Sequence, residues 1–328
     1  MNKKQFLGIY APYIKDFIAL KRSLGFKYDT EERIYSIFDR FTIRRNEITV
    51  GITRELASDW CRKNENESDS YRAHRILCLS LLSSYLCQMD IRSYIPQISV
   101  HRNTFVPYIF SKNEVTAIFN AADQIHAKKK NMNTVIFSIP VLLRFLYATG
   151  VRISEALSLN NKDINLDDKY FILRDSKNGK ERMIPISDSL ARTCREYVTN
   201  RSKLPLYRQR NESFFISCNG SAINRDAVYR KFRVVLKRAG INFIGEHRGP
   251  RVHDLRHTFS VHSLAKMAES GMDLYCALPI LSTYLGHQSL ESTNSYVRLT
   301  AEIYPELLKD IDAICLNIFP NIDCYESY

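Results

Sequence analysis

The sequence lacks the closely spaced cysteines that bind zinc or build a disulfide framework. Its eight cysteines lie at positions 61, 78, 87, 194, 218, 276, 315 and 324, without a CxxC pair or zinc-ligand spacing. Scattered cysteines are typical of small buried hydrophobic residues in a protein of the reducing cytosol. We therefore expect a cytoplasmic protein that needs no disulfides and has no metal site.

Long apolar runs, internal repeats and low-complexity tracts are missing as well. The most apolar stretch, residues 136–151, is too short to span a bilayer and contains Pro140 and Arg144. The chain has 328 residues, 45% of them hydrophobic, which suits two folded domains of ordinary size. These features argue against a disordered chain and against a membrane partner.

Acidic residues are in the minority, with 35 Asp+Glu against 47 Lys+Arg and a net charge of +12. A positive surplus favours a polyanionic partner, because each phosphate that is neutralised releases condensed counterions. Many basic proteins bind no nucleic acid, so the charge alone does not identify the partner.

Hydrophobic periodicity divides the chain into three parts. In residues 1–95 apolar side chains recur at helical spacing, for example at 76, 79, 82 and 86, and the polar residues 63–70 predict a loop. Residues 96–110 have no periodicity and contain two prolines, which predicts a linker. Ser111 and Glu114 then have the spacing of a helix capping box, at the start of a second domain in residues 111–328.

The periodicity changes after Leu159. Residues 170–173 and 183–186 are strand-like, and the Asn-Gly pair at 178–179 predicts a hairpin, because both residues tolerate positive φ. Pro185 indicates that the second strand lies at a sheet edge. The predicted fold is therefore mainly α with a small antiparallel β-sheet.

Four separated segments carry side chains suited to phosphate chemistry. In the first (ATGVRISEAL, residues 148–157), Gly150 predicts a turn and Arg152 stands near a helix start, where free N–H groups favour anions. Arg152 can contact two phosphate oxygens, and Glu155 is placed to hold its guanidinium group. Taken alone, the pair is equally consistent with a surface ion pair.

The second segment is the predicted hairpin, in which Lys177 or Lys180 can reach a DNA groove and donate a proton, or can simply belong to a solvated turn. The third is HDLRH, in which His253 and Arg256 share one face of a predicted helix. His253 and His257 have the spacing of a metal-binding pair, but no HExxH motif completes such a site.

The fourth segment, residues 284–298, contains His287 and Tyr296. A tyrosine whose pKa is about 10 is a poor nucleophile until nearby cations or a base activate it. Two arginines, a lysine and two histidines from the other segments would supply that activation if they converged on Tyr296.

In this order, the four segments resemble the catalytic motifs of the tyrosine recombinases, the family of phage integrases and Xer recombinases. The resemblance covers residues 111–298, and residues 17–26 are more loosely similar to the family's helical DNA-embracing domain. It implies a SAM-like core-binding domain in residues 1–95 and an α+β catalytic domain in residues 111–328. It also implies DNA cutting and rejoining through a 3′-phosphotyrosyl intermediate, without cofactor, metal or ATP, in keeping with the missing Walker A motif.

The resemblance assigns a role to each matching residue. Tyr296 would attack the scissile phosphate, whose non-bridging oxygens Arg152 and Arg256 would bind. Lys177 would protonate the leaving 5′ oxygen, and the neighbouring Lys180 is the alternative for that role.

The remaining roles fall to histidines and a carboxylate. His253 would act as general base on the tyrosine proton, His287 would hydrogen-bond the phosphate, and Glu155 would orient the site. Further basic residues near the motifs are predicted DNA contacts: Lys180, Arg182, Arg251, His257 and Arg298.

Two regions go beyond the motifs. Residues 266–279 lengthen the segment before His287 relative to the family, and we expect an extra turn or loop there. The apolar stripe at 303, 307, 308, 311 and 314 predicts a C-terminal helix, which packs on its own domain or on a neighbouring protomer.

The family resemblance predicts a tetramer on two double-stranded DNA sites with inverted-repeat-like cores, in a bacterial cytosol or nucleoid and as part of a mobile element. Two alternatives stay open: DNA relaxation in the manner of a type IB topoisomerase, and a non-catalytic DNA-binding regulator of the same fold. A hydrolytic phosphodiesterase is disfavoured, because the sequence offers neither metal ligands nor a carboxylate pair to activate water.

Overall fold

The computed structural model describes residues 6–97, 106–125, 134–174, 181–204, 212–244, 249–287 and 291–305. Two compact units divide the chain, Met1–Thr104 and Phe105–Tyr328. Within the described residues, no helix is long and apolar enough to cross a membrane.

The first unit consists of helices α1 (Ala11–Ser23), α2 (Asp29–Arg44), α3 (Arg54–Cys61) and α4 (Asp69–Gln88). Side-chain oxygens of Thr53 and Ser68 accept hydrogen bonds from free backbone N–H groups at the starts of α3 and α4. The predicted loop between these helices is confirmed, although α4 already begins at Asp69. One face of each helix contributes to a shared core that includes Tyr10, Ile14, Tyr35, Phe38, Leu56 and Leu82.

The second unit contains eight α-helices and three strands among its described residues. The helices are α5 (Lys112–Asp123), α6 (Ile139–Thr149), α7 (Ile153–Ser158), α8 (Asp188–Arg201), α9 (Arg225–Arg238), α10 (Asp254–Glu269), α11 (Leu274–Leu285) and α12 (Glu291–Ile303). The strands are β1 (Ile164–Asn165), β2 (Tyr170–Leu173) and β3 (Arg182–Pro185). The predicted capping box is present at α5, where Ser111 and Glu114 exchange hydrogen bonds.

The three strands form one antiparallel sheet in the order β1-β2-β3. Tyr170 pairs with Pro185 and Leu173 with Arg182, so β2 and β3 form the predicted pair and Pro185 lies on an edge strand. Strand β1 was not predicted. The fold class, mainly α with a small antiparallel sheet, is confirmed.

Helix α6 is central to the second unit. It is apolar almost all round, and it packs against α5, α8 and α10. It ends at Gly150, whose positive φ of 61° suits the left-handed residue after a helix. The chain then turns directly into Arg152 and α7.

Helices α10, α11 and α12 pack on one another and share a small core of their own, to which Tyr296 belongs. An extra turn or loop was expected at residues 266–279: a short turn is present at 270–273, and the remaining residues are helical, as the end of α10 and the first half of α11. Most of the predicted C-terminal helix lies outside the described residues, as do Lys177, Lys180 and the hairpin tip.

Candidate active site

Arg152 lies immediately before α7 and is held there by Glu155. One carboxylate oxygen of Glu155 accepts a hydrogen bond from the Arg152 backbone N–H at 2.9 Å, and the other accepts from the Arg152 guanidinium at 2.8 Å. The predicted Arg–Glu pair is therefore formed. Because Glu155 is 6% exposed, the pair is sheltered from solvent on the carboxylate side.

Glu155 also binds a second arginine. Arg182, the first residue of β3, donates a hydrogen bond to Glu155 at 3.0 Å. Burial would raise the pKa of Glu155, but the backbone hydrogen bond from Arg152 and the charges of Arg182 and Arg152 outweigh burial and lower that pKa. The carboxylate therefore stays ionised and links the sheet to the start of α7.

Arg256 is almost completely buried and connects three segments. Its guanidinium donates to the carbonyl oxygen of Gly150 at 2.8 Å, to that of Leu285 at 3.0 Å, and to Nε2 of His287 at 2.9 Å. Burial and then the charge of Arg152 lower the pKa of Arg256 to about 10, so the group is still positive at neutral pH. Arg256 thus joins the ends of α6 and α11 beneath the site.

His287 is oriented from both ring nitrogens. A guanidinium can only donate, so Nε2 of His287 accepts from Arg256 and the ring proton lies on Nδ1. Nδ1 lies 2.7 Å from the hydroxyl oxygen of Thr293, which completes the orientation. Burial and the charges of Arg256 and Arg152 lower the pKa of His287 to about 4, so the ring is neutral at pH 7.

Tyr296 lies on α12 at the centre of these groups and is 4% exposed. Its ring stacks on His287 with a centroid distance of 6.3 Å. Burial raises the pKa of Tyr296, while the charge of Arg256 and a hydrogen bond with Ser260 act in the opposite direction. In this state Tyr296 is a protonated phenol.

Two histidines of the HDLRH segment complete the cluster. Nδ1 of His257 lies 2.8 Å from the Tyr296 hydroxyl oxygen, and the His253 ring packs edge-on against His257 at 4.8 Å. Burial, His253 and Arg256 lower the pKa of His257 to about 3. His253 is exposed at the surface of the site, yet the protein around it and the charges of Arg256 and Arg152 lower its pKa to about 4.

The structure therefore brings together Arg152, Glu155, His253, Arg256, His287 and Tyr296. Of the predicted DNA contacts, Arg182 and His257 lie inside the cluster. Arg298 is exposed and pairs with Glu302 at 2.7 Å, and Arg251 precedes α10, where its backbone N–H donates to Asp254. Among the described residues, no three histidine, cysteine or carboxylate side chains meet in a possible metal site.

Some features of the site were not predicted in these roles. His257 was expected to contact DNA, and its position beside Tyr296 depends on how α12 packs on α10. The exposed Arg230, Arg233 and Lys237 of α9 form a basic row that was also missed. Their spacing of three and four residues was the available signal for one helix face.

Fold and cluster together define a catalytic domain of the tyrosine recombinase type. Residues 109–302, more than half of the chain, match the model of the phage integrase family. The chain belongs to the phage integrase family, and it is a tyrosine recombinase.

Individual relatives agree with this assignment. Over 309 residues the chain is 27% identical to y4rB of Sinorhizobium fredii, described as an integrase/recombinase, covering 93% of this chain and 98% of that one. It is 26% identical to tyrosine recombinase XerD of Listeria innocua, covering 89% and 90%. Its fold is similar to the Tn1549 transposon integrase solved with circular intermediate DNA, with a TM-score of 0.62 at 18% identity and coverage of 87% and 94%.

Proposed function

We propose that this recombinase cuts and rejoins double-stranded DNA at specific sites through a covalent 3′-phosphotyrosyl bond to Tyr296. The observation that carries the proposal is the buried tyrosine whose ionisation two guanidinium groups, Arg256 and Arg152, favour. Such positive charge stabilises a developing phenolate and a phosphate in the same place.

In the proposed reaction the phosphate binds between Arg152 and Arg256. Arg152 is fixed by Glu155 at its base and is 26% exposed, so part of its side chain is free to meet DNA. Arg256 is positioned below it, and His287 adds a neutral hydrogen-bonding ring. Because two guanidinium groups would bind the phosphate, charge developing in the transition state is offset.

The leaving 5′ oxygen needs a proton, and we assign its donor to Lys177, with Lys180 as the alternative. Both precede Arg182, which is anchored to Glu155. The phosphotyrosyl bond retains the energy of the broken linkage, so rejoining needs no ATP.

Exchange between two duplexes requires four strand cuts, and each protomer supplies one Tyr296. Four protomers on two sites follow from this stoichiometry, and we propose inverted-repeat-like cores for those sites. The helical first unit and the basic row of α9 are suited to the phosphate backbone, since both are rich in exposed Lys and Arg. The transposon and integrase relatives support a role in a mobile element, in the cytosol or nucleoid of a bacterium.

Covalent capture tests the proposal without a known site. The purified chain is incubated with a pool of nicked duplexes of randomised sequence, and protein–DNA adducts that resist denaturation are recovered and sequenced. We expect wild type to yield adducts on a restricted set of sequences and Tyr296→Phe to yield none, while both bind the selected duplex equally.

The outcomes separate the alternatives. Adducts without sequence selection, together with relaxation of supercoiled DNA that lacks the selected site, would indicate a topoisomerase-like enzyme. DNA binding without any wild-type adduct would indicate a regulator. An adduct that persists in Tyr296→Phe would place the nucleophile elsewhere.

A further inference from the structure

The hydroxyl of Tyr296 is contacted by a histidine outside the set that the family motifs assign. Nδ1 of His257 lies 2.8 Å from the phenol oxygen, and the two ring centroids are 5.7 Å apart. His253, to which the motif assigns the tyrosine proton, is four residues earlier and is exposed at the surface of the site.

We propose that His257, rather than His253, is the catalytic base that accepts the phenolic proton of Tyr296 during strand cleavage. The inference rests on the proposed function, because it concerns the activation of the same nucleophile. A general base must lie within hydrogen-bond distance of the proton it removes, and His257 meets that condition in the folded chain.

The surroundings of His257 keep it able to accept a proton. The ring contacts Tyr296 and His253, and the charged or titratable groups that most affect its pKa are His253, Arg256, Arg251 and His287. Burial and these positive or neutral neighbours favour the uncharged ring, with a pKa of about 3. A neutral ring with its proton on Nε2 presents a free lone pair at Nδ1 to the phenol.

Substrate binding changes this balance in the required direction. A phosphate bound by Arg152 and Arg256 brings negative charge beside Arg256, one of the cations that lower the pKa of His257. The positive form of His257 is then less disfavoured, so its basicity rises when DNA is in place. The phenol also becomes far more acidic as its oxygen begins to bond to phosphorus.

The step balances in both directions. The Tyr296 oxygen forms a bond to phosphorus, its proton passes to Nδ1 of His257, and the 5′ oxygen leaves with a proton from the general acid. On rejoining, the 5′ hydroxyl attacks the phosphotyrosine, returns its proton to that acid, and the departing phenolate takes back the proton from His257.

The tautomer of His257 can be measured without DNA. In 15N NMR of the histidine-labelled full chain at pH 7, with the signal assigned by its loss in His257→Gln, we expect a neutral ring protonated at Nε2 and unprotonated at Nδ1. A proton on Nδ1 would overturn the proposal, because the ring would then donate to Tyr296 instead of accepting from it.

Kinetics on the captured duplex provide the second readout. The first of two substrates carries the normal 5′ oxygen at the bond that is cut. The second carries a 5′ sulfur there, and this sulfur leaves without needing a proton. We expect His257→Gln to slow adduct formation about 100-fold on both substrates, within the range of general base catalysis, while duplex affinity changes less than about twofold. A variant of the leaving-group acid, Lys177→Ala, is expected to be rescued by sulfur.

Adding small bases to a variant distinguishes a role of His257 as a base from a role in packing. In His257→Ala, added imidazole is expected to restore adduct formation, and the weaker base pyrazole, of similar size, is expected to fail. His257 is not the base if His257→Gln forms adducts at a rate within about threefold of wild type. The same conclusion follows if adduct formation is lost in His253→Gln and retained in His257→Gln. If wild type forms no adduct at all, the proposed function fails, and the NMR tautomer still decides what His257 does to Tyr296.

Discussion

At the scale of single residues, the histidines of the site, His253, His257 and His287, share one property: each ring is uncharged at neutral pH. The pKa of His257 is lowered to about 3, by burial first and then by His253 and Arg256, and that of His287 to about 4, by burial first and then by Arg256 and Arg152. In the unfolded chain a histidine has a pKa of about 6.5. Below about pH 6.5 the unfolded chain therefore binds protons at these histidines that the folded chain does not bind.

This difference predicts a pH-dependent stability. Between about pH 6.5 and pH 4 the unfolded state binds more protons than the native state, so the free energy of unfolding falls as the pH is lowered through that window. We expect His257→Gln to flatten this slope by up to about 1.4 kcal/mol per pH unit. Urea unfolding of wild type and variant, followed by circular dichroism across the window, measures the slope.

The single tryptophan supplies an internal reference for that measurement. Trp60 lies in the core of the first unit, so its fluorescence follows that unit, whereas His257 belongs to the second. Equal slopes for wild type and His257→Gln in the circular dichroism signal would mean that His257 is not held neutral by folding.

The sequence predicts the identity of these residues better than their contacts. The motifs locate Arg152, Arg256 and Tyr296 because each type is chemically suited to phosphate transfer. The His257–Tyr296 contact spans 39 residues and arises only when α12 packs on α10. No local pattern in HDLRH distinguishes the histidine that meets the phenol from the one that meets solvent.

At the scale of elements, the site depends on how α6 ends. Gly150 has a positive φ of 61°, its carbonyl oxygen accepts from Arg256, and a Cβ at this position would overlap the ring of Phe259. The turn thus needs glycine for two reasons, backbone conformation and space. Gly150 therefore lies where the end of α6 contacts Arg256 and Phe259 of α10.

Substitution at this turn can be compared with a matched control. Gly240, after α9, also has a positive φ, of 73°, but a Cβ there would have no neighbour within 4 Å. We expect Gly240→Ala to lower the free energy of unfolding by about 1 kcal/mol from conformation alone. Gly150→Ala adds overpacking, typically about 1–3 kcal/mol, and should also reduce adduct formation by displacing Arg256.

Thermal or urea unfolding of the two variants checks this expectation. Equal losses of stability in Gly150→Ala and Gly240→Ala would mean that Phe259 moves aside at no cost. Intact adduct formation in Gly150→Ala would show that Arg256 tolerates a shifted carbonyl.

The sequence predicts a helix or strand where neighbouring residues carry a clear turn or strand signal. The strand-like residues 170–173 and 183–186 on either side of Asn-Gly predict β2 and β3, and Pro185 predicts that β3 lies at the edge. Strand β1 has only two residues and forms because β2 is beside it, so no periodicity announces it. Of residues 266–279, where an extra turn or loop was expected, 270–273 form a turn. The residues from 274 are helical because Leu274, Ala277 and Leu281 bury a common face, which outweighs the hydrogen bond lost at Pro279.

At the scale of the whole molecule, both units carry positive charge and each has its own core. Residues 1–104 contain 17 Lys+Arg against 12 Asp+Glu, and residues 105–328 contain 30 against 23. The cores of the two units are separate clusters of buried residues. Each unit is therefore equipped both to fold and to contribute phosphate contacts.

Salt dependence of DNA binding measures how many such contacts each unit makes. The logarithm of the binding constant falls with the logarithm of salt concentration by about 0.9 for each neutralised phosphate on duplex DNA. We expect the full chain to show a steeper slope on the captured duplex than residues 105–328 alone, measured by fluorescence anisotropy. Replacing Arg230 and Arg233 of α9 with glutamine should reduce the slope of either form by about 0.9 per lost contact. Equal slopes for the full chain and the fragment would mean that the first unit adds no phosphate contacts, and its predicted role in DNA binding would then be wrong.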